Sequence, residues 1–497
     1  TVAASADWSS SLPMTLTGTN GLTTIDTNGH AITLAGPLTG GGGLLKVDTG
    51  TLVLTGTNTY TGETRIDGGT LTLRGTGAIT ATNLLRNRAG GVILNIEDDA
   101  TIVAGSIIFG DQSNASITIN QSGGSVTSTG TTNNPAGNSV SNRWGHWPNS
   151  TTVYNLSDGA LNLLGAPLYL SWDGPATLNV QGGTANIVGI NMGYDTRSYA
   201  STVNLTSGQL NIGAAGIVTG GTSNKSINLG GGTLGALADW SSGRPMTLTG
   251  IGGNTTVDTN GYTVTLSGAL TGSGGFAKDG DGTLVLSGAS SYAGPTAVTN
   301  GTLLVNGSIS SDVAINGGVL GGTGTIGGTV TVASGGTYAP GASVGQQTAG
   351  GAVWQGGGHF VFEVNDAAGT AGGPDGWDLL TITDGTGAGT LDLSGLSASN
   401  PFYIDIVSLA GTVSGDAANL IVTEPVEWEF VTYEEMVGEF SSDLFVLDAS
   451  GFTNDLGAGH FGIVQSASGL AIAFVPEPGA LLMCVIAVLL LMVRRKR

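Results

Sequence analysis

Side chains with chemical potential are few and scattered in this sequence. Asp173 and Asp195 lie about one repeat apart, which would stack two carboxylates, and glycoside hydrolysis requires such a pair. The central region beyond Asn120 offers Arg143, Arg197 and Lys225 as bases or cationic partners. His30, His146, His359 and His460 are spread along the chain, with no pair at metal-ligand spacing. The acidic run from Glu424 to Glu439 has no fixed ligand spacing either and reads as a solvated face. No Gly-Lys-Ser/Thr follows the glycine runs, so there is no phosphate loop. Nothing singles out Asp173 and Asp195 among the other carboxylates. No catalytic residue, metal ligand or cofactor site is assigned, and a protein without enzymatic activity is expected. A polysaccharide-active enzyme is the more distant alternative, recognisable by two carboxylates and an arginine in one groove.

The aromatic residues are better organised. Trp144 and Trp147 precede one repeat, Tyr169 and Trp172 the next, and Tyr194 and Tyr199 the third. Counted back from each repeat start, Tyr169 and Tyr194 share a register, and Trp147, Trp172 and Arg197 fall within one position of each other. Trp147, Tyr169, Trp172, Tyr194 and Arg197 therefore form a candidate ligand-binding strip, able to stack on sugar rings or on another protein. The plainer reading is that these rings pack against their own loops.

Positioning such a strip is a matter of fold, and composition narrows the fold. Of 497 residues, 88 are glycine, more than twice the usual share of about 7%. The apolar fraction is 40%, too high for a disordered chain, so the glycines must punctuate folded strands. Acidic residues outnumber basic ones 35 to 14, for a formal charge of −21, and four of the basic residues close the chain. Nucleic acid is excluded as a partner, because no basic stripe exists to neutralise phosphates. The single cysteine, Cys484, lies in the apolar tail, so disulfides cannot brace the fold. A packed apolar role suits Cys484 better than lipidation.

Two kinds of repeat supply the scaffold. Residues 6–75 recur at 238–307, with about 39 identities over about 68 residues. The conserved cores run from Gly41 to Leu73 and from Ser273 to Val305. Each contains Gly-Gly, Lys, Gly-Thr-Leu-x-Leu-x-Gly, Tyr-x-Gly, Thr and Gly-Thr-Leu. This pattern resembles the autotransporter-associated β-strand repeat of bacterial passenger domains, and Gly318 to Gly341 resembles the strand-turn cap that often follows. The resemblance implies an all-β protein built as a right-handed parallel β-helix. Between the copies, Tyr154-Asn155-Leu156, Leu178-Asn179-Val180, Val203-Asn204-Leu205 and Ile227-Asn228-Leu229 recur at about 24 residues, one turn of a three-sided solenoid, and predict a stacked asparagine ladder. Leu94-Asn95-Ile96 and Ile117-Thr118-Ile119 extend the series upstream. The expected organisation is a first repeat module at 1–80, solenoid rungs at 81–235, a second module with cap at 236–348, a β-sandwich-like or irregular C-terminal β domain at 349–474, and a tail at 475–497. One short helix is predicted near Tyr433-Glu434-Glu435-Met436.

The tail carries its own signal. Val475, Pro476, Glu477 and Pro478 precede an apolar run from Gly479 to Val493, and Arg494, Arg495, Lys496 and Arg497 follow as a membrane stop. This three-part order resembles the PEP-CTERM sorting signal, which implies an exosortase as partner, membrane attachment through a single C-terminal hydrophobic helix, and export to the surface or extracellular matrix of a Gram-negative-type bacterium. Thr1 opens on polar sequence, so a leader has been removed or the chain belongs to a longer protein. The expected function is an exported structural protein of the cell surface or matrix. The first alternative is an adhesin or glycan-binding β-helix with extracellular polysaccharide as partner.

Overall fold

The computed structural model describes residues 1–18, 21–130, 142–193, 199–219 and 224–476. They form two compact units, Thr1–Phe276 and Ala277 onward.

In the first unit the strand pairing is parallel throughout, each strand meeting its counterpart one rung on. Ala31–Leu34 pairs with Thr51–Leu54, then Thr70–Leu73, then Val92–Ile96. Followed rung by rung, one register column runs Ile32, Leu52, Leu71, Leu94, Ile119, Tyr154, Leu178, Val203, Ile227. All nine are buried. Alternation along each short strand sends one residue in and the next out, so a continuous core forms only when rungs stack. Each buried Leu or Ile contributes about 1.5–3 kcal/mol. This unit is a β-helix-like solenoid. Within this unit, pairing passes unbroken through residue 80 and through residue 235.

Corners are set by backbone. Gly124, Gly159, Gly183 and Gly208 occupy one corner in successive rungs with φ of 57°, 81°, 61° and 72°. A Cβ on Gly159 would stand 2.4 Å from the carbonyl oxygens of Gly123 and Gly124, so only glycine allows the rungs to close up there.

The expected asparagine ladder forms. Asn120 Nδ2 donates to Asn95 Oδ1 at 3.1 Å, Asn155 to Asn120 at 3.0 Å, Asn179 to Asn155 at 2.8 Å, Asn204 to Asn179 at 2.7 Å and Asn228 to Asn204 at 2.8 Å. Asn162, Asn186 and Asn211 make a second, shorter ladder at 2.9 and 2.7 Å.

The duplicated module owes its motif residues to buried polar chemistry. Lys46 is fully buried, and its ammonium donates to the carbonyls of Val47, Asp48 and Gly68 at 2.9, 2.7 and 3.0 Å. Burial pulls it down to about 8, against the opposing charges of Asp48 and Asp26. Lys278 repeats the clamp on Asp279, Gly280 and Asn300 at 2.9, 2.7 and 3.0 Å. A hydroxyl chain, Tyr60–Thr64–Thr82, recurs as Tyr292–Thr296–Ser311.

In the second unit a parallel coil runs through Thr302–Val305, Val319–Gly322, Thr337–Pro340, His359–Val364, Phe402–Ala410 and Phe445–Gly451. Residues 349–474, expected as a β-sandwich-like or irregular β domain, hold strands of this coil and an antiparallel closure. Val426–Thr432 runs parallel to Leu379–Ile382 but antiparallel to Gly469–Val475, which pairs antiparallel with His460–Gln465. The aromatic enrichment of this stretch fills its core: Trp354, Phe360, Phe362, Phe402, Trp428 and Phe430 are fully buried, with Trp354 stacked on Phe402 at 4.5 Å. The helix predicted near Tyr433–Met436 is absent. Glu435–Val437 is a strand on Thr390–Asp392, a ladder partner that outweighs local propensity. The one helical turn among the described residues is Ser442–Leu444. No helix among them is long and apolar enough to cross a membrane. The apolar run and basic stop of the tail, with Glu477 and Pro478, lie outside the described residues.

Candidate functional site

One side of the first unit departs from the plain ladder. Arg86, Ile108, Arg143, Tyr169 and Asn191 are successive partners in its register. Two residues after each of the last four comes a left-handed backbone position: Gly110 at φ 72°, Gly145 at 60°, Ser171 at 72° and Gly193 at 104°. This twist turns the chain outward, so Asp111, His146 and Trp172 leave the ladder at one corner. Ser171 is the one residue other than Gly, Asn or Asp with positive φ among the described residues. Its buried hydroxyl donates to the Ala200 carbonyl at 2.6 Å and accepts from the Ala176 amide at 2.9 Å, which holds the strained conformation.

A chain of charges runs across the rungs beneath this corner. Arg86 bridges Glu63 Oε2 at 2.6 Å and Asp111 Oδ2 at 2.7 Å, and Asp111 Oδ1 accepts from His146 Nδ1 at 2.9 Å. Because a carboxylate only accepts, Nδ1 carries the proton. Nε2 is then left to accept from Arg143 Nη1 at 3.3 Å. Burial opposes the charge on Asp111, yet the hydrogen bonds from His146 and Arg86, with the Arg86 charge, hold its carboxyl below the usual range.

The aromatic residues close over this chain. The His146 ring meets Trp147 edge-on at 6.0 Å and Trp172 edge-on at 5.9 Å; Tyr169 meets Trp172 at 4.9 Å. The Arg143 guanidinium lies 4.3 Å over the Trp172 ring. Tyr169 and Trp172 are half-buried in these contacts, whereas Trp147 is 48% exposed. Trp144 points inward, fully buried, and stacks on Tyr154 at 5.0 Å. The structure thus brings Trp147 and Trp172 against His146, with Tyr169 against Trp172. Tyr194, Arg197 and Asp195 lie outside the described residues. Tyr169 pairs with Asn191 in the ladder.

Glu63, Arg86, Asp111 and His146 escaped the sequence reading because they lie 23 to 35 residues apart. The available signal was a corner glycine followed by a polar residue, Gly110-Asp111 and Gly145-His146. Two carboxylates and an arginine do share this face, but the arginine grips both, so neither is placed to work as an acid or base alone. No three His, Cys, Asp or Glu side chains among the described residues are grouped to hold a metal ion.

Comparison with known proteins bears on the scaffold. Residues 44–73 and 276–305 each match the Passenger-associated-transport-repeat family. Both stretches carry the buried lysine clamp and the Tyr–Thr hydroxyl pair. The chain is also 28% identical over 294 residues to the Adhesin BmaC autotransporter of Brucella suis biovar 1 (strain 1330), an alignment covering 57% of this chain. It spans only 8% of that protein's length.

Proposed function

We propose that this chain is an exported, non-enzymatic protein of the bacterial cell surface or extracellular matrix, in which a right-handed β-solenoid scaffold displays an adhesin-like contact surface. The observation that carries this reading is the passenger-type repeat, matched twice and built twice around the same lysine clamp. The similarity to an adhesin autotransporter supports the same location. Right-handed winding is what parallel crossover connections adopt in nearly all cases. The corner around Trp147, Tyr169 and Trp172, continued in sequence by Tyr194 and Arg197, is the contact surface, and an extracellular polysaccharide is its partner. Arg86 grips both nearby carboxylates, which supports binding over catalysis.

Export and retention run through the tail in this proposal. Val475, Pro476, Glu477 and Pro478 are the sorting motif read by an exosortase. The apolar run inserts as a short helix, and Arg494, Arg495, Lys496 and Arg497 stay on the cytoplasmic side. Cell fractionation and protease shaving of intact cells test this. The full chain is expected at the surface, and deletion of Pro476 to Pro478 is expected to leave it in the inner-membrane fraction. Surface retention after that deletion overturns the sorting reading, and an intracellular full chain overturns the export reading.

A further inference from the structure

We infer that the corner site binds an uncharged polysaccharide, lying along the solenoid axis with a sugar face on Trp147. This rests on the contact-surface reading above and narrows it to one ligand class and one orientation.

Charge argues first. The chain carries −21 overall, so most of its surface repels polyanions. The corner face differs: Arg65, Arg86 and Arg143 occupy one register column. Against them stand Asp67 on Arg65, and Glu63 and Asp111 on Arg86. Arg65 and Arg86 are thus neutralised within this face. The forks of Arg65 and Arg86 are already committed to these carboxylates. A uronate or phosphate group would have to displace them, exchanging one carboxylate for another. An uncharged ligand loses nothing to this arrangement.

Surface chemistry argues second. Among the described residues of this corner, Trp147 is the one large apolar side chain that is substantially exposed. One indole is far less than the apolar core of a protein interface, which needs roughly 800 Å² per partner. It suits the flat, hydroxyl-rimmed face of a pyranose. The platform is also rigid. His146 is fixed by Asp111 on one nitrogen and Arg143 on the other, and its ring edge touches both tryptophans. Binding therefore orders little that is not already ordered.

Geometry argues third. Asp111, His146 and Trp172 come from successive rungs at one corner, and neighbouring parallel strands lie about 4.8 Å apart. The site is long across the rungs and one corner wide. A linear polymer fits it lengthwise.

The test uses the full chain on an array of neutral polysaccharides (cellulose oligomers, mannan, dextran, galactan) and uronate polymers (polygalacturonate, alginate). Retention is expected on at least one neutral polymer and on no uronate polymer. It is expected to be unchanged as salt rises from about 0.05 M to about 0.5 M, and oligomers should compete at least tenfold better than the monosaccharide. Trp147→Ala should weaken it at least tenfold, Trp147→Phe should restore most of it, and Leu164→Ser, at an equally exposed apolar residue elsewhere, should change nothing. Retention on uronates that falls with salt overturns the ligand class while leaving the contact surface standing. Unchanged binding by Trp147→Ala, or no retention on any polymer, overturns the site itself. Neither result bears on export, which is measured separately by fractionation.

Discussion

Replacing Asn155 by alanine is expected to destabilise the first unit about twice as much as replacing Asn228. Asn155 sits inside the long amide ladder: its Nδ2 donates to Asn120 at 3.0 Å, and its Oδ1 accepts from Asn179 at 2.8 Å. Asn228 has one ladder bond, to Asn204 at 2.8 Å. A net value of about 0.5–1.5 kcal/mol per bond gives about 1–3 kcal/mol for Asn155→Ala and half of that for Asn228→Ala. Asn155→Asp keeps the acceptor but turns an oxygen toward Asn120 Oδ1, so it should cost at least as much as alanine. Urea titration followed by tryptophan fluorescence reads these costs, because the buried Trp144 stacks on Tyr154 beside the ladder. Hydrogen exchange of the amides at 117–121, 153–156 and 177–180 checks that the loss is local before it is global. Equal costs for the two substitutions, or a loss below about 0.3 kcal/mol for Asn155→Ala, would refute the ladder as a source of stability.

Lys46→Met should cost about 2–4 kcal/mol, since it removes the donor shared by three carbonyls, and Lys278→Met should match it because the clamp is the same; urea midpoints of the two variants check this. Asp378 is fully buried, and burial first, then the charge of Glu363, pushes its carboxyl well above the usual range. The folded state therefore holds a proton that the unfolded state has released above about pH 4, so the second unit loses stability as pH rises through that raised value. Asp378→Asn should flatten this slope in thermal melts, while costing stability because an NH2 then faces the Gly345 or Glu363 amide. Arg86→Met should cost about 2–4 kcal/mol, since it strands Glu63 and Asp111 without their shared cation, and a double substitution with Glu63→Gln should recover part of the loss in the same melts.

The scaffold was legible in the sequence for a physical reason. A parallel ladder requires the same residue at the same place in every rung, so Leu-Asn-Val and its variants betray both the fold and the amide ladder. The motif lysine was equally visible, but not its task, because a buried ammonium on carbonyls leaves no trace in spacing. The site was only half legible. Trp147, Tyr169 and Trp172 stood out as rare residue types, whereas Asp111 and His146 meet across a rung of 35 residues and carry no pattern. In the second unit, the aromatic residues from Trp354 to Trp428 suggested a change of architecture, and what the structure shows of them is that they fill that unit's core. Composition reports what is buried more directly than how the backbone runs.

The site also lies where the repeat is least regular, and that placement is itself an argument about function. Ladder asparagines are 24 or 25 residues apart in most rungs, but Asn120 and Asn155 are 35 apart. The extra chain enters ahead of Asn142–Trp144, the strand that carries Arg143 and leads into His146 and Trp147. One rung later, Ser171 takes the strained corner that glycine fills at Gly110, Gly145 and Gly193, and it needs two hydrogen bonds to stay there. A residue chosen only for the scaffold would be glycine at that position. The strained serine and the ion chain under the tryptophans fall on the same corner, and stacking alone calls for neither of them.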